Sequence, residues 1–442
     1  MKLSHFSVKE FLLSKHVETY FTISEKAAHV KILEISVAYL LKFDKFTPLT
    51  KTRLESSPLA IYAADHWIKH TNSEGIDPAP LKLILQLFTP KSAALTNWIR
   101  INNIDQKCRT LFMAQDEVSS PLYYASLAGL QQVSTHLLEN GADVNAQGGK
   151  CGNALQAASS EGHEAIVKLL LEKGADVNAQ GGRYNNALRA ASSGGHEAIV
   201  KLLLENGAQR EQYGNALQAA SLGGHKGIVK LLLDKGADMN VQGGFYGNAL
   251  QAASSGGYQA IVELLLEKGA DVNAQGGQHG NALQAASSKG HEAIVKLLTE
   301  KGADVNVQGG MCGNALCAAS LKGHEVIVKL LIEKGADVNA QSESLGNALH
   351  LASLGGDQVI VELLLEKGAD VNAQGGMHGN ALQAASLRGH EAIVKLLIEK
   401  GADVNAQGKP YGNALQAASL KGHETIVKLL IENGADAMLV PS

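Results

Sequence analysis

The sequence predicts an all-α solenoid of about ten helix-turn-helix repeats with hairpin-like fingers, preceded by a small helical domain. Copies of Asn-Ala-Leu recur 33 residues apart in every interval but one. A unit of this length cannot bury its own apolar face, so it stacks on copies of itself. The nine copies begin at Asn153, Asn186, Asn215, Asn248, Asn281, Asn314, Asn347, Asn380 and Asn413.

The unit that begins at Asn153 shows how each repeat is expected to fold. Asn153 is a good N-cap for a short helix over residues 154–160, which Gly162 breaks. Residues 164–172 carry the apolar stripe of a second helix, and Gly174 ends it. The turn-forming residues that follow predict an outward finger before the next Asn cap.

The second half of this unit carries a family resemblance. Residues 162–178, Gly-His-Glu-Ala-Ile-Val-Lys-Leu-Leu-Leu-Glu-Lys-Gly-Ala-Asp-Val-Asn, resemble the second helix and finger of the ankyrin repeat family. The first helix departs from the family's Thr-Pro-Leu-His and reads Asn-Ala-Leu-Gln, although Asn can cap where Thr would. The resemblance implies ten repeats over residues 118–436, about 72% of the chain, followed by a tail at 437–442.

One interval breaks the period. Asn186 and Asn215 are only 29 residues apart, and the missing residues fall in the finger at 207–214. We therefore expect the helices to keep their lengths and the stack to continue, with a notch in the row of fingers.

Residues 1–117 are helical in pattern but not repetitive, and are predicted to form a separate helical domain packed against the first repeat. Trp67 and Trp98 supply the large side chains that the repeats lack. The predicted helices run from Ser24 to about Phe43, from Ser57-Pro58 to about His70, from Asp77-Pro78 onward, and from Ser92 to Ile101.

The beginning of this domain carries a second resemblance. Residues 3–14, Leu-Ser-His-Phe-Ser-Val-Lys-Glu-Phe-Leu-Leu-Ser, with Ala27-Ala28-His29, resemble the stretch after the nucleotide-binding module of fungal NACHT-ankyrin receptor-like proteins. Such proteins are signal-transduction ATPases in which a repeat array senses and a P-loop module switches. No Gly-x-x-x-x-Gly-Lys-Ser/Thr motif occurs in this chain. The resemblance thus implies a fragment of such a receptor, or a shortened relative that keeps the sensor arm.

Charge and composition limit the classes of partner that we expect for this chain. The net charge is -4 with both signs interspersed, so neither nucleic acid nor a membrane surface is an expected partner. The N-terminus lacks a signal-peptide core, and no apolar stretch approaches the roughly 20 residues that span a bilayer, so we expect an intracellular, cytoplasmic protein. Cys108, Cys151, Cys312 and Cys317 lack metal-ligand spacing and are expected to be free thiols.

Histidines and aspartates recur at equivalent positions in the repeats and could suggest a metal or catalytic site, but the distance between repeats argues against both. Equivalent positions in adjacent repeats lie roughly 10 Å apart, whereas zinc needs ligands at about 2.1 Å, so one ion cannot bridge two layers. The same spacing separates the aspartates represented by Asp176, which are interpreted as turn formers. We predict no catalytic residue, no metal site and no cofactor. The histidines interpreted as structural are His163, His196, His225, His291, His324, His390 and His423.

Two columns of residues vary between repeats that are otherwise nearly identical. The fingertip column holds the two residues before Gly-Asn, and the inner column holds the residue that ends the first helix. The ankyrin resemblance implies that both line the concave binding side; drift at weakly constrained positions is the alternative. The fingertip candidates are Lys150, Cys151, Arg183, Tyr184, Tyr213, Phe245, Tyr246, Gln278, His279, Met311, Cys312, Leu345, Met377, His378 and Tyr411. The inner-column candidates are Glu161, Lys289, Lys322, Arg388 and Lys421.

The charges of the inner column predict which kind of partner this surface prefers. The basic residues of the inner column lie in the late repeats, which predicts a preference for an acidic partner segment there.

The last repeat keeps the internal apolar pattern at Ile426, Val427, Leu429 and Leu430, so its outer face is expected to be uncapped and prone to fraying or self-association.

The sequence therefore predicts a non-enzymatic protein-protein interaction scaffold or sensor, in its most specific form the sensor arm of a NACHT-type receptor. One alternative is a fragment of a signal-transduction NTPase receptor whose nucleotide-binding module is missing from this chain. Another is an adaptor that recruits partners to a degradation or transcription complex, which would need a recruiting motif that we do not find.

Overall fold

The computed structural model describes residues 25–44, 49, 54–71, 75–90, 92–106, 117–342, 345–376, 379–408 and 411–436. The chain divides into two compact units, residues 1–209 and 210–442. Within the described ranges the regular structure is helical, and isolated β-bridges close the fingers. This confirms the predicted all-α repeat fold.

The described part of the first unit contains four N-terminal α-helices, one 3-10 helix and three helix pairs of the repeat type. Their bounds are α1 Glu25–Leu41, α2 Pro58–His66, a 3-10 helix Trp67–His70, α3 Pro78–Leu87, α4 Ala93–Ile101, α5 Pro121–Leu127, α6 Gln131–Glu139, α7 Ala154–Glu161, α8 Glu164–Glu172, α9 Ala187–Gly194 and α10 Glu197–Glu205.

The N-terminal helices begin where the capping residues predict. Pro58 and Pro78 occupy the first turns of α2 and α3, and the Ser92 hydroxyl accepts a hydrogen bond from the Leu95 N–H at the start of α4. Trp67 and Trp98 are fully buried, with ring centroids 5.3 Å apart, and form the aromatic core expected of this region.

Hydrogen bonds join the N-terminal helices to the first repeat. Asp105 accepts from the Tyr123 hydroxyl at 2.7 Å and from the Lys150 N–H at 2.6 Å. The Ile76 N–H donates to the Gln132 side chain at 2.6 Å. The two regions therefore pack together within the first unit, and the domain boundary near residue 118 remains a prediction.

Seven helix pairs lie within the described residues of the second unit. Their bounds are α11 Tyr213–Gly223, α12 Lys226–Asp234, α13 Ala249–Gly256, α14 Gln259–Glu267, α15 Ala282–Lys289, α16 Glu292–Glu300, α17 Ala315–Leu321, α18 Glu325–Glu333, α19 Ala348–Gly355, α20 Gln358–Glu366, α21 Ala381–Arg388, α22 Glu391–Glu399, α23 Ala414–Lys421 and α24 Glu424–Glu432.

The repeat core is made of the predicted residues. In α16, Ile294, Val295 and Leu298 are buried, and alanines such as Ala285 and Ala286 bury the inner side of the preceding helix. Small residues on first helices let neighbouring layers approach to roughly 8–10 Å.

The shortened interval differs from its prediction. A 3-10 helix, Arg210–Gln212, leads directly into α11, which has 11 residues against eight in α13. Asn215 therefore lies inside the helix and is not its N-cap, whereas Asn186 and Asn248 do cap their helices. The expectation of constant helix length was wrong, because a shortened link lets the chain enter the helix without the extended residue that an Asn cap requires.

Candidate functional site

Five of the repeated histidines join their repeat to the one before it. His291 Nε2 donates to the Ser255 carbonyl at 3.2 Å, one position from the end of the preceding first helix, and His163 does the same to Leu127. Gly290 is a helix C-cap at φ +79°, where an added Cβ would lie 2.8 Å from the His324 ring. The structural interpretation of the histidines is confirmed where such bonds form, at His163, His196, His291, His324 and His423.

The aspartates form turns, as predicted, and an asparagine column links the fingers. Asp176 accepts from the N–H two residues on, that of Asn178, at 2.9 Å. The Asn145 side chain donates to the Gly174 carbonyl at 3.2 Å and accepts from the Asp176 N–H at 2.8 Å in the next repeat. Sequence reasoning treated these asparagines only as turn residues and missed the bridge.

The fingertips are hydrogen-bonded to one another through their backbones. The Arg183 N–H donates to the Lys150 carbonyl at 2.8 Å. In the second unit, Gln278 N–H donates to the Phe245 carbonyl at 2.8 Å and Met311 N–H donates to the Gln278 carbonyl at 3.0 Å. This ladder fixes the spacing of neighbouring fingertips.

Most candidate residues are accessible, with one clear exception. Cys151 is only 4% exposed, and its N–H donates to the Tyr123 hydroxyl at 3.1 Å, so this fingertip thiol is not available to a partner. Burial also raises its pKa. Met377 and His378 lie outside the described residues.

The other candidates divide by exposure. Those exposed are Lys150, Glu161, Arg183, Phe245, Lys289, Met311, Lys322, Arg388 and Lys421, and those half-buried are Tyr184, Tyr213, Tyr246, Gln278, His279, Cys312, Leu345 and Tyr411.

A groove in the second unit brings the two predicted columns together. It has a volume of about 690 Å³ and spans the fingertips and first-helix ends of successive repeats. Phe245 and Met311 are 55% and 53% exposed at its edge, and the Phe245 ring lies edge-on to His279 at 6.1 Å. The groove is lined by Phe245, Gln278, His279, Gln284, Ser288, Lys289, Met311, Cys312, Ala318, Leu321, Lys322 and Leu345.

The charged groups of the groove are both positive. Lys289 and Lys322 are the charged residues of its described lining, which includes no carboxylate. Burial, reinforced by Lys289, lowers the pKa of His279. Burial raises the pKa of Cys312, while Lys322 acts in the opposite direction. The groove therefore combines a neutral imidazole and a protonated thiol with two ammonium groups.

Two polar atoms of the groove lack a hydrogen-bond partner. These are the His279 Nε2 and the Gln278 side-chain oxygen, and both are shielded from solvent. Burying a polar atom without a partner is unfavourable, so both atoms lower the stability of the groove.

Among the described residues, no three or more His, Cys, Asp or Glu side chains form a cluster able to hold a metal ion. No helix in this part of the chain is long and apolar enough to cross a membrane.

Comparison with known proteins settles the family. A family model described as "Ankyrin repeats (3 copies)" matches residues 92–181, 155–243, 240–309, 310–375 and 376–440, which together span residues 92–440. The chain belongs to the ankyrin repeat family. Its ten described helix pairs, from α5–α6 to α23–α24, are ankyrin repeats.

One curated protein is similar to part of this chain. The chain is similar to the azaphilone pigments biosynthesis cluster protein L of Monascus ruber, with 38% identity over 177 residues. The match covers 36% of this chain and 37% of the relative, so the chain spans well under half of that protein's length.

The departure from the ankyrin first-helix motif has a structural role that sequence reasoning missed. In the Asn-Ala-Leu-Gln form, the Gln284 amide donates to the Val307 and Gly313 carbonyls of the next finger, at 2.9 and 3.0 Å. Its oxygen accepts from the Asn281 N–H at 3.0 Å and completes a capping box. Cys317 occupies this position one repeat later and makes only a long sulfur contact, 4.0 Å, to the Gly346 carbonyl. The recurrence of glutamine at this position in six of the nine Asn-Ala-Leu repeats was the signal that could have revealed this role.

Proposed function

We propose that this ankyrin chain is a non-enzymatic scaffold that recognises a protein partner through its fingertips and first-helix ends. The groove between Phe245 and Leu345 carries the proposal, because it joins the two variable columns on one concave surface. Exposed aromatic and methionine side chains beside such a surface are typical of interaction hot spots. Ankyrin repeats in general support binding to proteins.

The repeated polar side chains support a binding role over a catalytic one. The histidines and aspartates that could act as acids, bases or ligands are used in joining repeats and forming turns. The variable residues, by contrast, make few bonds to the fold and are presented at its surface.

The experiment is recovery of partners from a cell lysate by the full chain, with two matched double variants. Phe245→Ser with Met311→Ser removes the apolar edge of the groove. Val326→Ser with Val359→Ser removes comparably exposed side chains, 57% and 53% exposed, from second helices that do not line it. We expect partners to be lost only with the groove variant. Equal recovery by both variants would refute the assignment of this surface.

A more specific proposal is that the chain is the sensor arm of a NACHT-type receptor. Its support is the resemblance of residues 3–14, which lie outside the described residues, and of Ala27-Ala28-His29 in α1. The receptor-fragment reading predicts a P-loop module encoded upstream of Met1 in the same gene. Transcript sequencing across that region would show it, and a stop codon directly upstream would favour the shortened relative.

A further inference from the structure

We infer that the groove binds an extended segment of a partner protein that carries two acidic side chains three positions apart, with a large apolar residue between them. This inference rests on the proposed function and specifies the chemistry of its partner. It follows from the placement of Lys289 and Lys322, the apolar edge of the groove and the spacing between repeats.

The two lysines set the charge of the partner. They lie at the C-terminal ends of equivalent first helices in adjacent repeats, are both exposed, and line a groove with no carboxylate among its described residues. Complementary charge across an interface favours the correct partner and speeds its encounter. An acidic segment satisfies both lysines, whereas a basic one would meet two like charges.

The repeat distance sets the spacing of the acids. Adjacent layers lie roughly 8–10 Å apart, so the two ammonium groups present a similar separation. A polyproline-II segment has three residues per turn and rises about 3.1 Å per residue, which places residues i and i+3 on the same side about 9 Å apart. An extended segment thus matches both lysines, whereas one turn of helix advances only about 5.4 Å.

The fingertips supply the apolar contact. Phe245 and Met311 flank the groove at its edge, and Leu345 adds a third apolar residue. The backbone ladder from Phe245 through Gln278 to Met311 holds two of these fingertips in place before binding. A preformed surface loses less entropy on association, so an apolar side chain between the acids has a fixed site to enter.

A purely structural role for the lysines is the competing explanation. A basic residue at a helix C-terminus interacts favourably with the helix dipole. Lys301 and Lys334 cap the C-terminal ends of the second helices α16 and α18 in the same two repeats, are exposed and do not line the groove. They therefore provide a control with the same charge change and the same dipole effect.

The test uses a displayed library of random linear peptides as the probe and the full chain as bait. Native chain, Lys289→Glu with Lys322→Glu, and Lys301→Glu with Lys334→Glu are selected in parallel, after circular dichroism and thermal melting confirm that each is folded. We expect the native chain and the second variant to enrich the same peptides, with acidic residues at i and i+3 around an apolar one.

Affinity measurements then complete the test. For an enriched peptide synthesised with a fluorescent label, we expect Lys289→Glu with Lys322→Glu to weaken binding about 10- to 100-fold. Replacing both peptide acids with glutamine should weaken it less, and added salt should weaken it progressively. The Lys301→Glu, Lys334→Glu chain should bind within about twofold of native.

Three results would overturn the inference. They are enrichment of peptides without the acidic pair, equal loss of affinity in both charge-reversed variants, and tighter groove-dependent binding of a random single-stranded oligonucleotide. If no peptide is enriched while lysate partners still depend on Phe245 and Met311, the acidic-segment inference fails and the proposed scaffold function stands. If those partners are also independent of the groove, both fail.

Discussion

Replacement of one buried glutamine tests whether the first-helix motif holds adjacent repeats together. The Gln251 side chain is 2% exposed, and its amide donates to the carbonyls of Ala274, Gly276 and Gly280 at 3.1, 3.2 and 3.0 Å. Its oxygen accepts from the Asn248 N–H at 2.6 Å. Gln251→Cys removes all of these bonds while leaving a side chain that the chain itself tolerates at Cys317.

The expected loss of unfolding free energy depends on which groups lose a hydrogen-bond partner. The Gly280 carbonyl keeps a hydrogen bond from the Gly276 N–H at 2.7 Å, so removing the glutamine donor from this carbonyl costs little stability. The Asn248 N–H and the Ala274 carbonyl each lose the glutamine, at a cost of about 1–3 kcal/mol for a buried group left unpaired. We expect Gln251→Cys to lower the free energy of unfolding by about 3 kcal/mol.

The assay combines urea unfolding followed by circular dichroism with hydrogen exchange resolved by repeat, because repeat arrays are stabilised repeat by repeat. Faster exchange should appear first at residues 274–280, the finger that Gln251 contacts. The reverse change, Cys317→Gln, offers donors to the carbonyls of Ala340 and Gly346 and should gain about 1 kcal/mol. Unchanged unfolding and exchange in Gln251→Cys would show that the glutamine column does not stabilise the array.

Three further predictions follow from particular contacts. Tyr123→Phe removes the hydroxyl that donates to Asp105 and accepts from Cys151, and should lower unfolding stability by about 1–2 kcal/mol in urea titrations; an unchanged midpoint would contradict it. Burial lowers the pKa of His163 from 6.5, so its neutral form is favoured in the fold. Stability is then fully present above pH 6.5 and falls as the pH drops through the folded-state pKa, and His163→Gln should reduce the fall in melting temperature between neutral and mildly acidic buffer. Leu420 is 65% exposed whereas its equivalent Leu387 is 6% exposed, so Leu420→Lys should reduce self-association of the last repeat in light scattering, and an unchanged mass would count against that interface.

The sequence predicted the elements whose signals are local. Helix starts at Pro58, Pro78 and Ser92 depend on a proline or a capping side chain within the first turn, and each lies where expected. The structural roles of the histidines and aspartates could also be predicted from the sequence, because the repeat spacing alone excludes a metal shared between layers.

The errors arose where distant groups decide the local structure. Asn215 has the same neighbours as the capping asparagines, but the shortened link before it turns the preceding residues into helix. Cys151 occupies a variable fingertip, yet Tyr123 of the previous repeat, 28 residues away, binds its N–H and buries it. Gln251 makes its main contacts 23 to 29 residues ahead, so no helical periodicity reveals them.

The structure also bears on whether the variable fingertips are drifting or selected. Drift at unconstrained tips predicts side chains that vary independently of one another. In the groove they form contacts across repeats instead: Phe245 packs edge-on against His279, and the Gln278 amide donates to the Met311 sulfur. Because each of these pairs joins two different fingers, a change in one residue alters the environment of the next. Their variation along the chain is therefore better explained as one composite surface than as a set of independent positions.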